Sequence, residues 1–223
     1  MSTNETRANI LSAAEQLFAV RGVEGVSLRE IARSAGAKNV IAVQYHFADR
    51  NGVLRALLDK HLPAVDARRH ALLDVAGSGA TDNDAALRTM AGALVRPLAF
   101  KLGDSSGGPE FLRVYADLLN RPKPALEALE GHGGSFGSLS RWRAMVAPLL
   151  DPDGAKLHPR LNAFLYAAVE LARRAESGPH TDDRLFISHL IDVVTAILST
   201  PVSDETRRLS HERDQRRGPL PAT

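Results

Sequence analysis

One short stretch of the chain, Lys38 to His46, concentrates side chains that suit contacts with nucleic acid. If the stretch is helical, Val43 and Phe47 lie four residues apart and point inward on one face. The opposite face then carries types of side chain that contact base edges, thymine methyls and phosphates, namely Lys38, Asn39, Ile41, Gln44, Tyr45 and His46. A merely solvated face usually carries Glu and Lys. The pattern therefore favours DNA binding, and an ordinary helical hairpin in a bundle is the alternative.

Two short helices joined by a tight turn are predicted to position that face. Ser27 is followed three residues later by Glu30, which is the capping-box pattern that begins a helix. Apolar residues at helical spacing give this helix one buried side, and they are Leu28, Ile31, Ala32 and Ala35. Gly36 suits the end of the helix, because glycine tolerates a positive φ. Asn39 suits the cap of the next helix, so the segment matches a helix-turn-helix.

The flanking segments are predicted to complete a small domain around this motif. A first helix from Thr6 to Arg21 has an apolar face made of Ile10, Ala13, Ala14, Leu17 and Phe18. Asp49 is a good N-cap for a later helix that runs from Arg50 toward His61. A helix N-terminus favours anions, and Arg50 adds a positive charge at the same place. A solvated arginine is the alternative interpretation of Arg50.

Together these segments resemble the N-terminal domain of TetR-type (TetR/AcrR family) transcriptional repressors. The matching pieces are ILSAAEQLFAVRG (Ile10–Gly22), VSLREIARSAG (Val26–Gly36), YHF (Tyr45–Phe47) and the run from Arg50 to Leu54. They lie between Ile10 and Leu58, in about the first quarter of the chain. The resemblance implies a DNA-binding helix-turn-helix, with Arg50 at the position where the family places a basic residue against the DNA backbone.

The turn before the second short helix departs from the family pattern. Many members have one residue fewer between the glycine of the turn and the His-Phe pair, so AKNVIAVQ is an extended variant. The resemblance leaves open which of Lys38, Asn39 and Val40 reaches a base. The full predicted set of DNA-binding residues is Ser27, Lys38, Asn39, Val40, Ile41, Gln44, Tyr45, His46 and Arg50.

Composition limits the class of protein. Of 223 residues, 44% are hydrophobic and 24% are charged, as in ordinary globular proteins. A net charge of +2 does not decide about DNA, because basic groups can gather on one face. The absence of cysteine excludes disulfides, thiolate nucleophiles and cysteine zinc sites. The start MSTNETRAN lacks a signal pattern, and no apolar run nears the roughly 20 residues of a membrane span, so a cytoplasmic protein is expected.

The remainder of the chain reads as helical. Pro63 is expected to kink or interrupt the helix that starts at Arg50, with helical pattern returning over 64–75. The later helices are predicted over 82–102 with a bend at Pro97, 109–119, 125–130, 139–150, Pro159–Glu176 and Asp182–Ser199. A glycine-rich loop, GHGGSFG, occupies 131–137. It lacks the third glycine and the preceding strand of a dinucleotide-binding fingerprint.

Two features of the later helices suggest partners. Pro159–Glu176 and Asp182–Ser199 are apolar over more than one narrow stripe, which favours a homodimer over a thick intramolecular core. Five large aromatic residues could line a pocket for a small apolar ligand, although plain core is the stronger interpretation of each: Phe100, Phe111, Tyr115, Trp142 and Phe164. The tail from Pro201 to Thr223 is charged and contains proline, so disorder is predicted.

Signs of enzymatic chemistry are missing from the sequence. The eight histidines include no HExxH pair, and no GxSxG turn or GxxxxGKS/T loop occurs. Neither a metal ion nor another cofactor is predicted. A helical enzyme is therefore a remote alternative, as is a helical dimer that binds only proteins.

The sequence predicts an all-α protein of about nine helices. Residues 1–62 are expected to form a helix-turn-helix domain, 63–200 a larger helical domain for ligand binding and dimerisation, and 201–223 a disordered tail. The expected function is that of a ligand-responsive repressor that binds a palindromic double-stranded DNA operator as a homodimer. A DNA-binding activator of the same family is the main alternative.

Overall fold

The computed structural model describes residues 3–37, 39–76, 82–121 and 137–217. These residues contain ten α-helices and, within the described ranges, no β-strand. The α-helices are α1 (Thr3–Arg21), α2 (Leu28–Ser34), α3 (Val40–Phe47), α4 (Arg50–Ala76), α5 (Asn83–Ala99), α6 (Gly108–Leu119), α7 (Gly137–Val146), α8 (Pro159–Glu176), α9 (Arg184–Ser199) and α10 (Asp204–Arg217). Short 3₁₀ helices span Phe100–Gly103, Ala147–Leu149 and Gly154–Leu157. The predicted all-α class is confirmed.

The N-terminal domain consists of α1, α2 and α3 packed against the first part of α4. Its core contains Ile10 and Phe18 from α1, Ile31 from α2, and Val43 and Phe47 from α3, all 6% exposed or less. Apolar residues at helical spacing thus close a small core, as the sequence pattern predicts. This core fixes the orientation of the two short helices.

Helix α4 joins the N-terminal domain to the rest of the molecule without a break. It continues from Arg50 to Ala76 through Pro63, so the prediction that the proline could interrupt the helix is wrong. Pro63 itself is exposed, while Leu62 and Val65 beside it are buried. Proline removes one backbone donor, and packing of the neighbouring side chains offsets that loss. The predicted domain boundary at 62/63 therefore falls inside a continuous helix.

The larger domain is a bundle in which α5 packs on α9 and α6 packs on α8. Helix α6 lies deepest, with buried side chains on several faces, among them Phe111, Leu112, Val114, Tyr115 and Leu118. Pro97 lies inside α5, which tightens at its end into the 3₁₀ turn from Phe100. Pro109 occupies the first turn of α6, as predicted. The predicted segments 125–130 and 131–136 lie outside the described residues.

The tail is not disordered over its described part, and that prediction is wrong there. Helix α10 forms over Asp204–Arg217. The Ser203 hydroxyl accepts a hydrogen bond from the Thr206 amide at 3.3 Å, and Asp204 and Glu205 lie in the first turn, where the helix dipole favours acids. Arg207 also donates to Asp153 at 3.2 Å. The high content of charged residues indicated disorder. Two of the acidic residues, however, lie in the first turn, where they stabilise a helix.

Two kinds of feature are absent from the part of the chain that the structure describes. No single helix there is both long and apolar enough to cross a bilayer, although α9 and α10 reach the required length and composition together, with a bend of 54° between them. The same residues contain no group of three or more His, Cys, Asp or Glu side chains that could hold a metal ion.

Candidate nucleic-acid interface

The N-terminus of α2 is held by a complete capping box. The Ser27 Oγ accepts a hydrogen bond from the Glu30 amide at 3.3 Å, and the Ser27 amide donates to Glu30 Oε2 at 2.9 Å. Arg21 Nη1 donates to the other carboxylate oxygen of Glu30 at 2.8 Å. Hydrogen bonds from Ser27, then from Arg21, lower the pKa of Glu30 from 4.5 to about 2. The capping box predicted from the sequence is confirmed. Arg21 adds an ion pair that connects α1 to the start of α2.

Helix α3 is fixed at both ends and along its inner face. Asn39 Oδ1 accepts a hydrogen bond from the Ala42 amide at 3.3 Å, so Asn39 is the N-cap. Gly36 precedes the turn with φ of +66°, a conformation that favours glycine. Val43 and Phe47 are buried, and the Arg7 guanidinium of α1 lies 5.0 Å from the Phe47 ring centroid. The sequence alone did not indicate this contact of Arg7.

The outer face of α3 presents several large side chains to solvent. Tyr45 is 77% exposed and Ile41 is 65% exposed, and Gln44 and Asn39 are also exposed. We call these four residues the reading face. Val40 and His46 are only half-buried, and Lys38 lies outside the described residues. The structure thus brings together the central members of the predicted DNA-binding set, and their role in binding stays a prediction.

Ser27 and Arg50 lie together at the edge of this domain. They line a depression of about 290 Å³, bounded by residues 26–28 and 49–51, where α2 and α4 begin. Asp49 caps α4, because its Oδ1 accepts a hydrogen bond from the Gly52 amide at 2.7 Å. The depression therefore presents two helix starts and one guanidinium, a combination that suits a phosphate.

Arg50 is not free in the unbound protein. Its guanidinium forms an ion pair with Glu24 and also donates to the Glu24 carbonyl oxygen at 3.3 Å. Glu24 pairs in turn with Arg121 at 3.2 Å, and Arg121 pairs with Asp117 of α6 at 2.6 Å. This chain of charges joins the N-terminal domain to the larger domain. Sequence reasoning missed it because its members are far apart along the chain.

A second, buried connection joins the two domains. Glu15 of α1 is only 2% exposed, and its carboxylate accepts hydrogen bonds from Lys60 at 2.8 and 2.9 Å. Glu15 Oε1 also lies 3.0 Å from Nε2 of His61, which is 1% exposed. Gly107, with φ of +90°, approaches the same carboxylate so closely that a Cβ there would collide with it. The sequence pattern did not indicate that Glu15 is buried or that it has these partners.

Four of the five predicted pocket residues are buried, and the fifth, Phe100, is exposed. Phe111 and Tyr115 stack with ring centroids 5.3 Å apart, and Tyr115 contacts Phe164 edge-on at 6.1 Å. Trp142 is 1% exposed and donates from Nε1 to the Met90 carbonyl at 2.8 Å. Phe100 is instead 46% exposed, with the Arg68 guanidinium 3.3 Å from its ring centroid. The ligand pocket stays a prediction.

Residues 10–57 match the family model of bacterial regulatory proteins of the tetR family. The matched stretch covers most of α1, all of α2 and α3, and the start of α4, and it carries the capping box and the reading face. The resemblance to TetR-type regulators is therefore confirmed. Among curated proteins, no sequence matches this chain.

Solved structures of regulators share the fold over most of the chain. KstR2 of Mycobacterium tuberculosis, a ketosteroid transcriptional regulator, is 18% identical with a TM-score of 0.55, over 87% of this chain and 95% of that one. AmtR of Mycobacterium smegmatis is 16% identical with a TM-score of 0.55, over 96% and 94%. A tetR-family regulatory protein from Rhodococcus RHA1 is 19% identical with a TM-score of 0.55, over 88% and 98%. At these identities the likeness establishes the fold.

Proposed function

Since residues 10–57 form a TetR-type N-terminal domain, we propose that this protein binds a specific duplex DNA sequence and represses transcription there. The observation that carries the proposal is the reading face. Tyr45 and Gln44 project into solvent from a helix whose opposite side is locked by Val43 and Phe47. An exposed, rigidly presented set of amide, aromatic and aliphatic groups suits the edges of bases in the major groove.

Phosphate contacts would fix the orientation of that helix on the duplex. The depression that contains Ser27 and Arg50 lies at the starts of α2 and α4, where backbone amides and the helix dipoles favour an anion. On DNA, a phosphate would compete with the Glu24 carboxylate for the Arg50 guanidinium. Such contacts position the protein and carry no sequence information themselves.

A homodimer would supply two reading faces for a palindromic operator. The described surface of α8 and α9 retains large apolar side chains in solvent, with Leu185 83% exposed, Leu161 45% and Tyr166 37%. We infer that this surface pairs with the same surface of a second copy, because burying it removes apolar area from water. Two copies related by a twofold axis match half-sites about 34–36 Å apart.

Repression would be relieved by a ligand that favours a dimer geometry whose reading faces no longer match that spacing. The required coupling is small, since a tenfold loss of DNA affinity corresponds to about 1.4 kcal/mol. Two connections would carry a change in the larger domain to the N-terminal domain. One is the contact of Gly107 and Phe111 with Glu15 and His61, and the other is the set of ion pairs around Glu24.

Selection of bound sequences from random duplex DNA tests the proposal directly. We expect a palindromic consensus bound by a dimer, and repression of a reporter placed behind it. Activation of the reporter would contradict the repressor assignment, and absence of any sequence preference at low salt would contradict DNA recognition.

The salt dependence of operator binding tests the phosphate contact. Removing one phosphate contact lowers the slope of log K against log salt by about 0.9 in magnitude. Because the homodimer loses two such contacts in Arg50→Ala, we expect a decrease of about 1.8 for this variant. Arg173→Ala, at an exposed arginine on α8, should leave the slope unchanged. Equal slopes for the Arg50 variant and the wild type would show that Arg50 stays with Glu24 on DNA.

A further inference from the structure

One guanidinium in the larger domain is buried and has no carboxylate in direct contact among the described residues. Arg69 of α4 is only 4% exposed, and its Nε has no hydrogen-bond partner in the described part of the chain. Its hydrogen bond within that part runs from Nη1 to the Ser138 hydroxyl at 3.1 Å. Burial lowers the pKa of Arg69 below its usual value. A buried cation is costly unless an anion compensates it.

The nearby carboxylate is already engaged elsewhere. Asp66 lies three residues before Arg69 on α4, but its Oδ1 accepts hydrogen bonds from the Ser138 amide at 3.1 Å and the Ser138 hydroxyl at 2.5 Å. Its Oδ2 lies 3.5 Å from Nε2 of His70. No carboxylate among the described residues comes within 4.0 Å of Arg69, whereas most other buried or half-buried cations here have such a partner. Among the described residues, Asp66 therefore acts on Arg69 only from a distance, and the guanidinium has no anion in direct contact.

A buried tyrosine, Tyr115, lies within electrostatic range of this guanidinium. Burial raises the pKa of Tyr115 to about 12, so its phenol is neutral. Tyr115 stacks on Phe111, which stacks in turn on His61 at 4.7 Å between centroids. His61 and Arg69 are eight residues apart on α4 and share one face of the helix.

We propose that Arg69 binds the acid group of an organic monocarboxylate whose apolar body packs against Tyr115 and Phe111. The free Nε edge of a guanidinium matches a carboxylate, which it binds through two parallel hydrogen bonds. A single guanidinium suits a monoanion better than a phosphate dianion, because it neutralises one charge. This inference rests on the proposed ligand response and names the class of the effector.

The site is connected to the reading face through the chain of rings. His61 contacts Phe111 on one side and Glu15 of α1 on the other, and its Nδ1 has no partner among the described residues. A ligand that displaces Tyr115 or Phe111 therefore acts on the residue that holds α1 against α4. Helix α1 in turn carries Phe18 and Ile10, which support α2 and α3.

Titration of the full-length protein with matched acids and amides tests the site. Trp142, the only tryptophan, lies one turn after Ser138 on α7, so its fluorescence reports on the neighbourhood. We expect saturable fluorescence changes and a raised Tm with phenylacetate or octanoate, and neither with phenylacetamide or octanamide. In Arg69→Gln, carboxylate binding should weaken by about 10- to 100-fold, as expected for loss of a charge-assisted hydrogen bond.

Arg68→Gln is the matched control, because it removes the same charge from the adjacent, exposed position of α4. It should bind carboxylates as the wild type does. Arg69→Met keeps the volume without the charge, so it should fold, melt at a higher temperature without ligand, and lose the preference for acids over amides. If Arg69→Gln does not fold, Arg69→Met still measures the contribution of the charge to acid binding.

Four results would overturn the proposal: equal affinity for acids and amides, unchanged acid binding in the Arg69 variants, tighter binding of inorganic phosphate, or no saturable binding of either acid at millimolar concentration. Operator gel shifts on the same samples separate the two claims. Acid binding by a protein without DNA preference would contradict only the proposed function. DNA binding without acid binding would contradict only this inference.

Discussion

The reading face and the Arg69 neighbourhood place polar groups in opposite surroundings. Gln44 and Tyr45 are exposed to solvent. Water hydrates their amide and phenol groups, so the lack of a protein partner does not raise the free energy of the folded state. Arg69 and His61 are buried with unpaired nitrogens, which raises the free energy of the folded state. Exposed polar groups can therefore remain without a protein partner at little cost, whereas an unpaired buried group is a stronger sign that a partner binds there. This difference also predicts how substitutions in the two kinds of place should differ.

The largest contrast lies within α3 itself, between its inner and outer side chains. Phe47→Ala should lower the free energy of unfolding by about 3–5 kcal/mol, because it leaves a cavity in the small core. Tyr45→Ala, on the outer face, should change it by less than about 0.5 kcal/mol. Urea denaturation of both variants measures the difference. Similar losses for the two would show that Tyr45 is not simply exposed.

The next contrast compares two glutamates that each pair with two basic groups, one buried and one exposed. Glu15→Ala should lower the free energy of unfolding by about 2–3 kcal/mol, since His61 loses its partner in the interior while Lys60 can turn to water. Glu24→Ala should cost less than about 1 kcal/mol, because that ion-pair network is open to solvent. Thermal and urea melts of both variants measure this. An equal cost would contradict the buried connection between the domains.

A smaller effect is expected on function alone. Gln44→Ala and Tyr45→Ala should each weaken operator binding by about 1–3 kcal/mol, as typical for loss of a base contact. Val75→Ala removes a similarly exposed apolar side chain at the far end of α4 and should bind as the wild type does. Gel shifts beside thermal melts measure both properties. Wild-type affinity in the two α3 variants would show that another surface reads the DNA.

The smallest expected effect is a dependence of stability on pH. The pKa of Glu30 falls from 4.5 to about 2 in the folded protein, so the folded state favours the charged carboxylate. This contribution is complete above about pH 5 and is lost as the pH falls toward 2. Glu30→Gln should flatten that part of the stability profile. A profile with the same slope in the variant would show that other carboxylates dominate acid unfolding.

The sequence predicted the local features well, because they depend on neighbours along the chain. The capping box at Ser27, the positive φ of Gly36 and the Asn39 cap all follow from residues within four positions. The bounds of α8 were predicted to the residue for the same reason, since His158 and Pro159 mark its start.

Errors and omissions came from contacts between distant segments. An interruption of α4 at Pro63 was one expected outcome, but the helix continues through it, with Leu62 and Val65 packed in the core. The roles of Glu15, Arg50 and Arg69 depend on partners 26 to 69 positions away, which no local pattern reveals. The tail was misjudged because its overall charge, rather than the order of its acids and arginines, was used to predict disorder.

Gly107 has a mechanical consequence for the molecule. Because a Cβ there would collide with the Glu15 carboxylate, the Gly107 backbone lies directly against the end of that α1 side chain at the point where α6 is about to begin. Lys60 and His61 of α4 hold the same carboxylate. A displacement of α6 at this point would therefore press on the Glu15 carboxylate and on the contacts that join α1 to α4.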